Sequence, residues 1–336
     1  MSSGISRLLG VLAVSAAALL AAGSASAAPD WSKVKSKNVW VFYPAQVAWE
    51  RLMSPGRHSG RSKFISGKNC FSCHGNIDED PLGSSLVHAE KDIEPTPIPM
   101  KPGAIKMAVK TAHDADTFYA RLEFELGEQP NAGQDKDWET KVTMMLDDGT
   151  VPEMTRAGCW AVCHDDVNSM NRGDEKITKY IFASRMPGEG GTIAIKPEEE
   201  LAKLRAEGNY LEYWQARINP GKRTMPMDGI ILEKRTENAK PTVNVSSSTA
   251  KGVTTVTFSR KMKVDGLHKA IVPGKTYSLG FAIHGGNTAH RFHYVSFERS
   301  MVLDQGEGDF VAELAPSAPA PAPKAAPAAA PAPAAK

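Results

Sequence analysis

All four cysteines of this 336-residue chain fall in two short runs, each ending in Cys-His. The first is "CFSCH", Cys70 to His74, and the second is "CWAVCH", Cys159 to His164. The C-x-x-C-H spacing is the covalent attachment signal for c-type haem. Two thiols three positions apart on a helical turn reach the two vinyl groups of a porphyrin. The next residue, His74, then coordinates the iron from the proximal side. A redox-active CxxC needs no following His and belongs with a thioredoxin-like βαβ pattern, which this sequence lacks. A shared zinc site would have to join motifs far apart in the chain, and a disulfide across CxxC is tight and strained. The second run has one residue more than the common spacing. It takes its meaning from the first, and it predicts a second covalent haem on Cys159 and Cys163 with His164 as proximal ligand. A disulfide, or a haem held by fewer bonds, is the alternative there.

The two ends of the chain are not expected to join the fold. Residues 1–27 carry one early positive charge, Arg7, then an apolar Leu/Val/Ala run, then Ala25 and Ala27 at cleavage spacing. This is the pattern of a secretory signal peptide cut near Ala27, so a periplasmic location is expected. No later segment is apolar enough to span a membrane. Residues 313–336 close on a run of Ala and Pro, which predicts a disordered tail. Charge is nearly balanced, with 40 basic against 38 acidic residues and no long run of one sign, so nucleic acid is not expected as a partner.

Between these ends the punctuation divides the chain. Residues 28–95 are rich in Gly and Pro around the first motif, with a short amphipathic helix at "AQVAWERLM", and read as a small irregular or helical monohaem module. "DIEPTPIPMKPG" follows as an extended boundary. Residues 96–312 then read as strands. In "AIKMAVKTAHDADTFYARLEFEL", Ile105, Met107 and Val109 share one face, and Phe118, Ala120, Leu122 and Phe124 repeat the alternation after the turn "HDAD". "TKVTMMLDDG", "PTVNVSSSTAKGVTTVTFSRKM", "TYSLGFAIHGG" and "FHYVSFERSMVL" add more strands. The fold class expected is mainly β, an antiparallel β-sandwich with inserted helices. One helix should carry the second motif. The other should run through "KPEEELAKLRAEGNYLEYWQARI", with Leu201, Leu204, Leu211, Trp214 and Ile218 as its core stripe.

The segment from about 95 to 312 resembles the haem-binding domain of cytochrome c-552 and of the haem subunits of ethylbenzene and dimethylsulfide dehydrogenases. The likeness rests on "AVKTAHDADTFYARLEF", the Cys-x-x-x-Cys-His run and the closing "FAIHGG" and "RFHYVSF". The N-terminal part looks like the extra monohaem module of dihaem members. The resemblance implies a β-sandwich holding one haem and a role in periplasmic electron transfer, with two covalently bound haem c groups and their iron in all. In the dehydrogenase subunits the haem is non-covalent, between Met and Lys. This chain departs from that pattern, so their partners and substrates do not carry over.

The sixth position on each iron decides between an electron carrier and a site open to small ligands. For the first haem, His58 in a Gly-rich loop is the preferred distal ligand, with His88 as its rival and Met53 behind them. For the second, His293 is preferred because it alternates with Val295 and Phe297, with His290 as the alternative and His284 in the same cluster. "HYVS" also occupies the place where the resemblance puts the dehydrogenase lysine. Met225 and Met227 are Met-ligand alternatives, and Met is more often core filler. Trp160 is expected against a haem or in the core, and Asp165 and Asp166 at a solvated helix end. No G-x-S-x-G, P-loop, dinucleotide fingerprint or H-E-x-x-H competes with these sites. The expected partners are redox proteins, such as a membrane quinol-oxidising cytochrome or a periplasmic oxidoreductase. A haem subunit of a larger molybdenum-type oxidoreductase, or a haem enzyme or sensor with one open iron, are the alternative readings.

Overall fold

The computed structural model describes residues 28–43, 49–53, 55–56, 58–74, 96–162, 180–187 and 193–315. The expected signal peptide, His88, Cys163, His164, Asp165, Asp166 and residues 316–336 of the tail lie outside the described residues.

The molecule is mainly β. The hairpin read from the alternation is present as β2 (Ala104–His113) and β3 (Thr117–Glu125), in register from Met107 opposite Phe124 to His113 opposite Phe118. Its turn is fixed by Asp114, whose carboxylate accepts the backbone N–H groups of Asp116 and Thr117 at 2.9 and 2.8 Å. Before it comes β1 (Lys37–Phe42), and after it β4 (Thr140–Asp147), β5 (Arg185–Pro187), β6 (Ile193–Ile195), β7 (Leu211–Ile218), β8 (Met225–Ile231) and β9 (Arg235–Glu237). Then follow β10 (Asn244–Ala250), β11 (Val253–Lys261), β12 (Tyr277–His284), β13 (Tyr294–Val295), β14 (Arg299–Leu303) and β15 (Phe310–Leu314). Among the described residues β5 and β6 pair only with each other. The remaining 13 form one sheet in the order β10-β11-β3-β2-β1-β13-β12-β4-β7-β8-β9. β14 and β15 form a second bridge from β12 to β2, with the parallel pairs β14–β15 and β15–β2.

The two halves of this sheet bury a common core, a sandwich-like arrangement. Phe118, Leu122, Val256 and Phe258 from one half meet Met144, Leu146, Trp214 and Phe281 from the other. The Trp214 ring lies 6.0 Å from Phe118 and 6.5 Å from Phe258. Each fully buried large apolar side chain of this kind contributes about 1.5–3 kcal/mol. At the core's edge, Glu212 and Arg260 form a fully buried ion pair. The same carboxylate accepts the Trp214 indole N–H at 2.7 Å and the Lys269 backbone N–H at 2.6 Å.

The strands β4, β7, β8 and β12 present their opposite face to a second apolar layer. Met145, Tyr213, Ile231 and Ala282 line that face. Packed in the same layer are Trp49 and Leu52 of α1 (Trp49–Met53), Phe64 of α2 (Arg61–Ile65) and Cys70 of α3 (Cys70–His74). Met154 and Ala157 of α4 (Pro152–Ala157), Cys159, Trp160 and Val162 join them. The two cysteine motifs therefore meet in one layer, although β1, itself within residues 28–95, pairs with β2 and β13 in the main sheet.

Two helix expectations need correction. The long helix through residue 218 stops early: α5 spans Glu198–Ala206, and Leu211, Trp214 and Ile218 belong to β7. Gly208, at φ +79°, reverses the chain in the left-handed region, and "LEYWQARI" pairs on both sides with β4 and β8. Leu201 and Leu204 do pack as a helical stripe. The helix expected to carry the second motif is α-helical only up to Ala157, before Cys159, and residues 163–170 of that expectation lie outside the described residues. The helix ends at Gly158, φ +59°, and Cys159 sits on a 3-10 turn, Gly158–Trp160.

Candidate functional site

The first site is assembled almost entirely between residues 58 and 74. The His58 carbonyl accepts the Arg61 N–H at 3.0 Å, and the Arg61 Nε donates to the Met53 carbonyl at 2.7 Å, which folds the loop back onto α1. After α2, Gly67 at φ +102° turns the chain into α3. Asn69 Oδ1 accepts the Ser72 N–H at 2.8 Å, and the Glu298 carboxylate accepts the Phe71 N–H at 2.9 Å, so two otherwise orphan donors of α3 are satisfied. Arg299 stacks its guanidinium over the Phe71 ring at 3.8 Å.

His58, Gly60, Lys63, Lys68, Cys73 and His74 line a cavity of about 250 Å³. The His58 and His74 rings face each other across it, with centroids 6.3 Å apart and planes at 54°. Two imidazoles on opposite sides of one metal ion, each bound at about 2 Å, place their ring centres roughly 6 Å apart. His58 Nδ1 is buried and makes no hydrogen bond among the described residues. Gly60 leaves room for this ring, because a Cβ there would stand 3.0 Å from His58 Cε1. The residues present thus fit a bis-imidazole metal group. Cys70 is buried and Cys73 exposed, both as free thiols. Burial above all, with Glu298 and Cys73 adding, pushes the Cys70 thiol up, which is opposite to the lowered thiol of a redox-active CxxC. Met53, the weaker candidate, lies on α1 and packs against the apolar layer.

The second site is built on the sheet. Cys159 is fully buried against β12, where Gly280 permits the approach: a Cβ there would lie 2.7 Å from the Cys159 Sγ. Trp160 packs in the same layer, its ring 5.9 Å from Phe42 and 4.8 Å from Phe297. A cavity of about 490 Å³ opens over β4, β7 and β12 and is lined by Met145, Tyr213, Lys141, Arg235, His284, His290 and His293. That volume is in the range of cofactor and small-molecule sites. His284 and His293 stack at 4.0 Å and 17°. His293 is buried, and its Nδ1 lies 2.7 Å from the His290 carbonyl. A carbonyl only accepts, so Nδ1 donates, and in the neutral ring the lone pair sits on Nε2. His290 itself is exposed, at φ +53°. Behind this wall Lys101 is buried over the Tyr43 and Tyr294 rings and donates to Gln129 Oε1 at 2.7 Å. Burial pulls its ammonium down to about 7. Met225 and Met227 lie on β8, Met225 largely exposed and Met227 against the apolar layer.

The structure thus gathers His58, Cys70, Cys73 and His74 at one cavity, and His284, His290 and His293 at another, whose wall includes Met145 and Ala282 of the apolar layer that also holds Cys159. Sequence reasoning missed Glu298, Arg299, Lys101, Gly60 and Gly280. The only signal for any of them was alternation through "HYVSF", which placed Phe297 inward but gave its neighbours no role.

No family model matches the chain. It is 30% identical over 297 residues to cytochrome c-552 of Stutzerimonas stutzeri, covering 86% of this chain and 92% of that protein. It is 30% identical over 286 residues to cytochrome c-551 of Rhodocyclus tenuis, covering 85% of this chain and 99% of that protein. These matches run through nearly the whole length of both relatives, so the chain belongs to the family of c-type cytochromes that contains cytochrome c-552 and cytochrome c-551.

Proposed function

We propose that the protein is a periplasmic dihaem cytochrome that relays electrons between redox proteins. The observation that carries this reading is the pair His58 and His74, facing at 6.3 Å across a cavity whose wall includes Cys70 and Cys73. In this reading Cys70 and Cys73 attach the first haem, His74 is its proximal ligand and His58 its distal ligand. The second haem is attached through Cys159 and Cys163 beside the sheet cavity, with His164 proximal. His293 closes its other side, and its burial at the cavity wall supports that choice over exposed His290. Bound haem supplies an iron that gains and loses one electron, and two imidazoles on it leave no position for a substrate. The chain's own residues would hold the first group through His58, His74 and the two thiols, and exposed Cys73 marks the side nearest the surface, where partners would dock.

The partners proposed are redox proteins, either a membrane quinol-oxidising cytochrome or a periplasmic oxidoreductase. No helix among the described residues is long and apolar enough to cross a membrane. The test is a pyridine haemochrome assay with intact mass on the exported protein. Two haems per chain and a mass lacking residues 1–27 are expected. A single haem sinks the reading of Cys159 and Cys163, and none sinks the whole proposal. The alternative reading is an open iron at the second site. A shift of the reduced spectrum on adding carbon monoxide would select it.

A further inference from the structure

Both cysteine motifs lean on the same three consecutive residues. Phe297 stacks on His74 at 5.8 Å and 21°, and on Trp160 at 4.8 Å and 31°. Both spacings are those of productive ring contacts. Glu298 accepts the Phe71 N–H through Oε1 at 2.9 Å, and Arg299 covers the Phe71 ring at 3.8 Å. On the other side the backbone of Phe297 and Glu298 presses against Gly158. A Cβ at Gly158 would stand 2.3 Å from the Glu298 nitrogen and 2.5 Å from the Phe297 carbonyl carbon. All three residues are at least nine-tenths buried, and they lead from β13 directly into β14, whose register against β12 is fixed.

We propose that Phe297, Glu298 and Arg299 are positioning residues that lock the Cys70–His74 helix and the Gly158–Trp160 turn in one fixed juxtaposition. Neither motif makes this arrangement alone. The described part of α3 is a single turn or so, Cys70–His74, and the turn bearing Cys159 is a 3-10 turn of three residues. The segment acts as a two-sided clamp: aromatic contact on both sides through Phe297, a hydrogen bond to α3 through Glu298, and close backbone packing at Gly158. It orients the ring of His74 rather than binding a ligand itself.

The proposal rests on the dihaem reading only for its redox readout. The test uses the full-length, haem-loaded exported protein and the variants Phe297→Ala, Glu298→Ala and Glu298→Gln. Hydrogen exchange is followed in peptides spanning 70–74 and 158–162, and midpoint potentials by redox titration. Phe297→Ala should speed exchange about tenfold in both peptides and shift the potential of each haem. Glu298→Ala should do so at 70–74, and Glu298→Gln should restore it, since the amide oxygen still accepts the Phe71 N–H. Faster exchange in only one peptide with Phe297→Ala overturns the clamp. So does a Gln variant no better than the Ala variant. Intact mass read in parallel separates the two ideas: a one-haem protein removes the dihaem reading, while the exchange result still decides the clamp.

Discussion

The two cysteine sites are built in opposite ways. The first draws His58, Cys70, Cys73 and His74 from one short stretch of loops and five-residue helices. The second collects Lys141, Tyr213 and His284 from strands that meet through the sheet, and His293 from the bend just before β13. Such short helices are marginal by themselves, so the first site depends on groups brought from far away, above all Glu298. The second inherits its rigidity from the β4–β12 and β4–β7 ladders. Their buried charges also differ in sign. Burial pushes the Glu298 carboxyl up to about 7 at the first site, and pulls Lys101 down to about 7 behind the second.

The largest effect expected is loss of one site without the other. Replacing Cys70 and Cys73 together by Ala should remove one haem by intact mass and about half of the Soret absorbance, with the second haem retained. Loss of both haems would mean that the sheet site is not independent. Next comes the foundation common to both. Glu212→Ala strands Arg260 as an uncompensated buried charge and should cost about 3–5 kcal/mol in chemical denaturation. Burial alone would raise the Glu212 carboxyl, but hydrogen bonds from His268 and Arg260 and the Arg260 charge hold it below its ordinary 4.5. Its contribution is therefore present above pH 4.5 and lost as pH falls below it, so the wild type should weaken in acid more than the variant. A variant with an unchanged acid limb would remove Glu212 from this role.

The charge contrast gives a smaller effect with a definite sign. Glu298 has an ordinary value of 4.5 and a folded value of about 7, so between these the folded state holds more protons. Stability should then fall as pH rises from 4.5 to 7, by on the order of 3 kcal/mol. Lys101 moves from 10.5 to about 7, so in that window the unfolded state holds more protons and stability should rise with pH. Melting curves at pH 5, 7 and 9 check both: Glu298→Gln should flatten the lower slope and Lys101→Met the upper one. A reversed slope at either site would break the contrast. The smallest effect is expected from Gly60→Ala. Its methyl would crowd the His58 ring, so the first haem's spectrum should shift slightly, at a cost of about 1 kcal/mol, while the second stays as it was.

Much of the first site was legible because its chemistry is local: Cys70, Cys73 and His74 are adjacent, and His58 precedes them by a short glycine-rich loop. The hairpin from 104 to 125 was legible for the same reason, since strict alternation and an Asx turn are properties of neighbours. The residues that support the site were not. Phe71 and Glu298 are 227 positions apart, and nothing at either position advertises the other. Lys101 sits in a proline-rich stretch that reads as an extended boundary, yet the loop after β12 and Tyr294 close over it. The helix expected to reach residue 218 failed for a different reason. Helical spacing of Leu201, Leu204 and Leu211 ran on by chance into a strand, and only pairing with β4 and β8 decides that Trp214 faces the sandwich core.

β1 and β2 are neighbouring antiparallel strands, with Phe42 opposite Ala104. Everything between them, including the whole first cysteine motif, is therefore one oversized hairpin connection. Closing a long connection costs little more than closing a short one, because the entropy grows only with the logarithm of its length. The sheet's register can thus tolerate a change in the length of this excursion, provided that the layer filled by Trp49, Leu52, Phe64 and Cys70 is still covered. In evolutionary and engineering terms the position between β1 and β2 is a socket, and the Cys70–His74 unit is what this chain has plugged into it.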